Sequence, residues 1–315
     1  MRRLLTTFLP LVGTAALLVF LETTQPSDDT TFWRAVFDCG HIPLFGVIAL
    51  LLLFAARTAL GARLSPSMQF VVAGAAALVI GALSEIVQIG TARDADIFDF
   101  FRDLVGIVGA LTLYGSITIK WPLRQVRFAL AAFALLAALS CMSQLELGVA
   151  YWQRDSDFPK LTNFERGWSR SFVFADSCSM EWSNPPGAWT SAQQKRVLRV
   201  EYMPLQYTGL IIQDIIPDWR GKAALGFSAY SESAHEQRLN LRIDDKLYSK
   251  HADDRFNRVI TVYPGANVFT IPIGEIERRL ATRMLDLSKI KRIVLFSASE
   301  PRERFTVYFG DFELE

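Results

Sequence analysis

The sequence predicts an α-helical membrane bundle of five transmembrane helices followed by an all-β sandwich domain, and three observations carry that division. The 315 residues are 51% hydrophobic and 21% charged, with a mean hydropathy of +0.23, too little charge for the surface of one soluble domain of this size. The charge is also unevenly spread: residues 1–150 hold ten Lys/Arg and ten Asp/Glu, against 23 and 22 in residues 151–315. The first half consists of long apolar runs, whereas the second alternates apolar and polar residues with period two. With a formal net charge of +1 and neither half basic as a whole, nothing electrostatic favours a nucleic-acid partner.

About 20 mostly apolar residues cross the hydrocarbon core of a bilayer. Within a transmembrane region 1–146, five candidate spans run approximately over Leu4–Leu21, Ile42–Gly61, Met68–Ile89, Leu104–Ile119 and Phe128–Leu145. Arg2 and Arg3 before the first run resemble the start of a signal peptide. The run is long for one, however, and Leu21-Glu22-Thr23-Thr24 lacks small residues for cleavage, so a retained anchor is expected. Cations set the orientation. Arg2 and Arg3, then Arg57 and Arg63, then Lys120, Arg124 and Arg127 fall in alternate, acid-free connections, whereas the acids Glu22, Asp28, Asp29, Asp38, Asp94, Asp96, Asp99 and Asp103 fall in the others. The first set is expected inside, which leaves the C-terminal half extracytoplasmic, in or beyond the plasma membrane of a bacterium.

Small residues at four-residue spacing, Ala73, Ala77 and Gly81 in the third span and Gly106 and Ala110 in the fourth, predict close helix packing. Polar residues inside the apolar half are harder to place. An acid in a membrane helix is costly, yet Glu85 sits in the third span with Gln88 on the same helical face. His41 and Asp38 open the second span, Arg93 follows the third, and Asp99 and Asp103 enter the fourth at i and i+4. Two carboxylates at that spacing repel unless a cation such as Arg93 or His41 lies between them, or one is protonated. Arg102 reads as a solvated juxtamembrane charge. His41, Glu85, Gln88, Arg93, Asp99 and Asp103 therefore form a candidate outer-face cluster, and each also has a bland reading as a cap, a structural hydrogen bond or a solvated charge.

The ordered set His41-x-x-x-Phe45, Glu85-x-x-Gln88, Arg93, Asp99 and Gly106 at successive helix ends resembles the VanZ-like family of bacterial membrane proteins over roughly residues 30–120. The family usually has Asp-Lys-x-x-His before the second span, where this chain has Asp38, Cys39 and no Lys, and an Asn where this chain has Asp103. The resemblance implies a cell-envelope role linked to glycopeptide antibiotics such as teicoplanin. It implies no enzyme class.

Residues 147–165, with Pro159, read as a short mixed linker before a sandwich over 166–315. Alternating runs at Leu198–Tyr202, Leu239–Ile243 and Phe305–Phe309 predict strands, and eight to ten strands are expected overall. Pro185-Pro186-Gly187, Arg220-Gly221 and Pro264-Gly265 predict turns, and about Gly274–Leu280 a short helix. Asn163-Phe164-Glu165, Asp218-Trp219-Arg220-Gly221, Arg255-Phe256-Asn257 and Pro264-Gly265-Ala266-Asn267 resemble jelly-roll, galactose-binding-like domains, which include many carbohydrate-binding modules. That resemblance implies glycan as a partner and a structural calcium ion, for which Glu165 and Asp311 are candidate ligands. No other cofactor is expected, and no zinc-type Cys/His spacing is present.

Five of the seven tryptophans lie beyond residue 150. Stacking on sugar rings suits aromatic faces, so Trp182, Trp189, Tyr202, Tyr207 and Trp219 are candidate ligand contacts, with core packing as the alternative for each. A Cys39–Cys141 disulfide is permitted by an extracytoplasmic setting, and three unpaired thiols are the alternative. Three functions stay open: an envelope protein whose sandwich binds a glycan or another envelope component, a membrane enzyme acting on a lipid-linked or cell-wall precursor through the outer-face cluster, and a tethered binding module on a structural bundle.

Overall fold

A computed structural model describes residues 2–24, 30–88, 97–118, 122–192, 194–248, 251–278 and 283–315. The chain divides into two units, residues 1–146 and 147–315.

The first unit is helical: α1 (Arg2–Thr23), α2 (Thr31–Leu60), α3 (Pro66–Gln88), α4 (Ile97–Thr118), α5 (Leu123–Ser140) and the start of α6 (Met142–Ser156). Among the described residues, three segments are long and apolar enough to cross a membrane, Thr31–Leu60, Pro66–Ile86 and Leu123–Ser140. The five-span expectation is thus met in three helices on length and composition. Of the other two, α4 carries Asp99, Arg102 and Asp103, and the described apolar stretch of α1 is Phe8–Phe20.

Three boundaries also differ from expectation. The second helix starts at Thr31, not Ile42, because Thr30 caps it, its hydroxyl accepting from the Trp33 N–H at 3.4 Å. The fourth starts at Ile97, placing Asp99 in its first turn where the helix dipole favours an acid. The fifth ends at Ser140, and after Cys141 the chain resumes as α6 through Ser156, so helix occupies much of the supposed linker.

The small residues do what their spacing predicts. Ala73 and Ala77 are buried, and a Cβ on Gly106 would lie 2.1 Å from the Ile42 carbonyl oxygen. Glycine here lets the α2 and α4 backbones touch. At the far end of α2, Arg57 donates to the Tyr114 hydroxyl at 2.8 Å and lies over the Phe70 and Tyr114 rings.

The second unit is a sandwich of two antiparallel sheets. Its strands are β1 (Val173–Asp176), β2 (Cys178–Ser183), β3 (Val197–Tyr202), β4 (Gly209–Gln213), β5 (Ala224–Ser231), β6 (Gln237–Asp245), β7 (Phe256–Val262), β8 (Gly265–Pro272), β9 (Ile290–Ser297), β10 (Phe305–Phe309) and β11 (Glu313–Leu314), with the short helix α7 (Ile273–Arg278) after β8. One sheet runs β1-β4-β9-β6-β7. The other runs β11-β5-β10-β3-β2, with β8 along β5. The three predicted strands and the short helix are present, and Gly221 and Gly265 take φ of +76° and +84° at their turns.

The inward residues of the alternating strands meet in one core, including Leu198, Val200, Leu239, Leu241, Val307 and Phe309. The ends of the sandwich hold each other: Lys160 bridges Glu313, the Leu161 N–H donates to the Phe312 carbonyl at 2.7 Å, and the Leu314 N–H donates to that of Pro159 at 3.0 Å. Within this unit α6 docks through Ala150 and Tyr151 onto Trp168 and Phe172, and the Tyr151 hydroxyl donates to Asp214 at 3.0 Å.

Candidate functional sites

In the helical unit, α2 and α4 bring three of the six predicted cluster residues, His41, Asp99 and Asp103, together. His41 Nδ1 is 2.9 Å from Asp103 Oδ1, and its Nε2 is 3.8 Å from Asp99 Oδ2. The imidazole therefore stands between the two carboxylates, one of the arrangements their i,i+4 spacing requires. His41 also stacks on Phe45, with ring centroids 6.2 Å apart.

Arg102 corrects its sequence reading. It is 4% exposed rather than solvated; it pairs with Asp99, and its Nε donates to the Ser140 carbonyl at 3.3 Å. With the Gln144 amide oriented to satisfy both of its ends, Gln144 accepts from Arg102 Nη2 at 2.7 Å. Position 102 differs from Asp99 by three residues, so the pairing was available in the i,i+3 spacing.

Asp103 is buried, and its Oδ2 accepts no hydrogen bond. That oxygen occupies space left by Gly81, where a Cβ would lie 2.8 Å from it. Glu85, one turn beyond Gly81, completes a group with His41 and Asp103 whose potential ligand atoms all lie within 4.8 Å of one another. Imidazole and two carboxylates are a donor set suited to a divalent cation. The side chain of Gln88, and Arg93 altogether, lie outside the described residues.

In the sandwich, four of the five candidate aromatics are packing residues. Trp219 and Tyr202 are 0% exposed; Trp219 Nε1 donates to the Ile216 carbonyl at 2.9 Å, and Tyr202 stacks on Phe305 at 4.7 Å. Trp189 is buried against Tyr230, and Trp182 packs on the core beside Phe164 with Arg170 over its ring. Trp189, Tyr202 and Trp219 are buried, and Trp182 is half-buried. Tyr207 is the exception, at 61% exposure and φ +63°.

Tyr207 borders a cleft of about 320 Å³ on the outer face of the five-stranded sheet, within the usual range for small-ligand sites of about 300–1,000 Å³. Cross-strand register builds its floor. Asp176 faces Gly209, Gly209 faces Phe296, and Phe296 faces Asn240; Ile211, Val294 and Arg242 form the next row. Gly209 lets β4 approach β9 closely, since a Cβ there would lie 2.1 Å from the Leu295 carbonyl oxygen and 2.6 Å from the Phe296 Cα. Tyr207 meets Phe296 edge to face at 5.9 Å. Arg242 is held by both oxygens of Asp244 at 2.7 Å and lies over the Tyr248 ring, and Arg255 donates to the Tyr248 hydroxyl at 3.2 Å. The result is a mixed floor, with Tyr207, Phe296 and Val294 beside the charged groups of Asp176, Arg242 and Arg255.

The candidate calcium ligands are otherwise engaged. Asp311 accepts from the Phe164 N–H at 2.9 Å and from Lys160 at 3.1 Å, and Glu165 accepts from the Lys195 N–H at 2.6 Å. Burial raises the Asp311 carboxyl above its ordinary pKa, against the lowering effect of those donors. Among the described residues, the group of His, Asp and Glu close enough together to share a metal ion is His41, Glu85 and Asp103 of the helical unit.

No family model matches the chain, so the VanZ-like resemblance gains no support, and no curated sequence matches either. Solved structures with a similar arrangement cover about half of it. A family 11 carbohydrate-binding module of Clostridium thermocellum, in complex with a β-1,3-1,4-mixed-linked tetrasaccharide, is 17% identical with a TM-score of 0.36, covering 45% of this chain and 86% of that one. An exo-β-agarase is 16% identical with a TM-score of 0.39, covering 50% and 25% respectively. A family 30 module of a C. thermocellum cellulosomal cellulase is 14% identical with a TM-score of 0.32, covering 46% and 90%.

Proposed function

We propose that this chain is an integral membrane protein whose helical unit crosses the bilayer five times, N-terminus inside, and carries an extracytoplasmic sandwich that binds a glycan of the bacterial cell envelope. The observation that carries the reading is the Tyr207–Phe296 cleft, where aromatic and apolar surface for a sugar face is bordered by Asp176, Arg242 and Arg255 for its hydroxyls. Counting α4 as a span is consistent with its three charges being buried and engaged by His41 and by each other.

The test uses the full chain in detergent or nanodiscs against a panel of peptidoglycan fragments and surface polysaccharides. One or more ligands should bind, and Tyr207→Ala or Phe296→Ala should each weaken binding tenfold or more, about 1.4 kcal/mol. A panel with no ligand, or binding indifferent to both substitutions, overturns the reading. A reporter fused after Glu315 should be active only outside the cytoplasm; a cytoplasmic signal removes the topology.

A second reading, favoured by the unpaired Asp103 Oδ2 in a His/Glu/Asp group, makes the helical unit an enzyme acting on a lipid-linked or cell-wall precursor. It requires that Asp103→Asn and Glu85→Gln abolish an envelope phenotype at normal abundance. An unchanged phenotype leaves the bundle as an anchor.

A further inference from the structure

We propose that Cys39 and Cys141 form a disulfide that staples α2 to the turn between α5 and α6. The two sulfurs are 3.2 Å apart although the residues are separated by 102 positions. Both thiols are free in the structure. Reaching a disulfide's 2.03–2.05 Å requires a closing movement of about 1.2 Å.

What makes the pair more than a near approach is that contacts independent of sulfur fix both backbones, with α4 as their common frame. On one side, α2 is held to α4 by the His41–Asp103 pair and by the Ile42–Gly106 backbone approach. On the other, Arg102 of α4 holds the Ser140 carbonyl and the Gln144 amide, the residues that bracket Cys141. Each cysteine is thus delivered to the other by a polar link through α4, so closure costs little further ordering.

The third cysteine has a partner of its own. Cys178 lies in the sandwich unit on β2, its Sγ donates to the Gly209 carbonyl at 2.8 Å, and burial pushes its thiol up to about 11. The odd cysteine count thus leaves one facing pair and one half-buried thiol hydrogen-bonded to the Gly209 carbonyl.

The chemistry is two successive exchanges with an oxidised thiol–disulfide oxidoreductase of the extracytoplasmic space. One cysteine loses its proton, and its thiolate attacks the oxidant's disulfide, forming a mixed disulfide and releasing one oxidant thiolate. The second cysteine, deprotonated in turn, attacks the protein-side sulfur of that mixed disulfide, forming the Cys39–Cys141 bond and releasing the other. Two electrons and two protons end on the oxidant's dithiol.

The proposal rests on the topology proposed above, which places this end of α2 and α5 on the oxidising side. The test alkylates cells with N-ethylmaleimide before solubilisation, then maps non-reduced peptides of the full chain by mass spectrometry. A linked Cys39/Cys141 peptide pair, with Cys178 alkylated only after denaturation, is the expected result. Both cysteines recovered as alkylated free thiols overturns the disulfide. The reporter after Glu315 then assigns the fault: free thiols with an extracytoplasmic signal condemn the disulfide alone, and free thiols with a cytoplasmic signal condemn the topology with it. Diamide treatment of the reduced, purified protein should restore the link in the wild type and not in Cys39→Ser; failure in the wild type shows that the two sulfurs do not meet.

Discussion

His41 Nδ1 lies 2.9 Å from Asp103 Oδ1, joining α2 to α4 through two side chains that are each 1% exposed. Removing one member of a buried pair leaves the other without its partner and costs about 3–5 kcal/mol. His41→Leu and Asp103→Leu should each lower the stability of the purified full chain on that scale. The double variant should lose less than the two combined, with a coupling of about 0.5–3 kcal/mol. Strict additivity in a double-mutant cycle would show that the pair does not act as a unit.

Gly106 should tolerate no side chain. Alanine there puts a carbon 2.1 Å from the Ile42 carbonyl oxygen, and forcing α2 from α4 should cost at least about 1–3 kcal/mol. Gly40 on the same α2 helix is the control, because a Cβ there meets nothing within 4 Å. Gly40→Ala should be neutral or stabilising by up to about 1 kcal/mol. Thermal midpoints of the two variants, read side by side, decide it.

The aromatics of the sandwich should separate into two kinds. Trp219→Ala removes a wholly buried ring and should cost about 3–5 kcal/mol. Tyr207→Gly removes an exposed ring from a position at φ +63°, so stability should hold or rise by up to about 1 kcal/mol while glycan binding falls. Denaturant unfolding with a parallel binding assay distinguishes the two; a destabilised Tyr207→Gly would make that residue structural.

Cys178 sets a pH dependence of known sign. Burial raises its thiol from the ordinary 9.0 to about 11 in the folded protein, so the unfolded chain ionises first as pH rises. Its contribution to stability is full below pH 9 and is lost as pH rises toward 11. Cys178→Ala should therefore flatten the alkaline limb of a stability–pH curve. At pH 8 the native thiol should resist a disulfide reagent that modifies the unfolded chain at once.

The parts of this architecture with a strong period were legible in the sequence, as the runs at Leu198–Tyr202 and Phe305–Phe309 show. The cleft was not, although a signal exists. Ile293-Val294-Leu295-Phe296 and Leu210-Ile211-Ile212 break the alternation and are apolar on both faces, which marks a sheet whose outer side is also apolar. Trp219 and Tyr207 are both aromatic with a polar edge, and only the fold decides which is core. In the helical unit, the ingredients of the cluster were visible because acids are conspicuous in apolar helices. The burial of Arg102 was not, since its partner at Ser140 comes from a helix 38 residues away.

The mutual grip of residues 159–161 and 312–314 has a consequence for how the sandwich can be connected. Where chain entry and exit share one bridge, covalent order is incidental to the arrangement of strands. A version joined from 315 to 160 by a short linker and opened at the exposed turn holding Gly221 should assemble the same two sheets. The sandwich is in this sense a permutable cassette, free to be threaded from a different starting point.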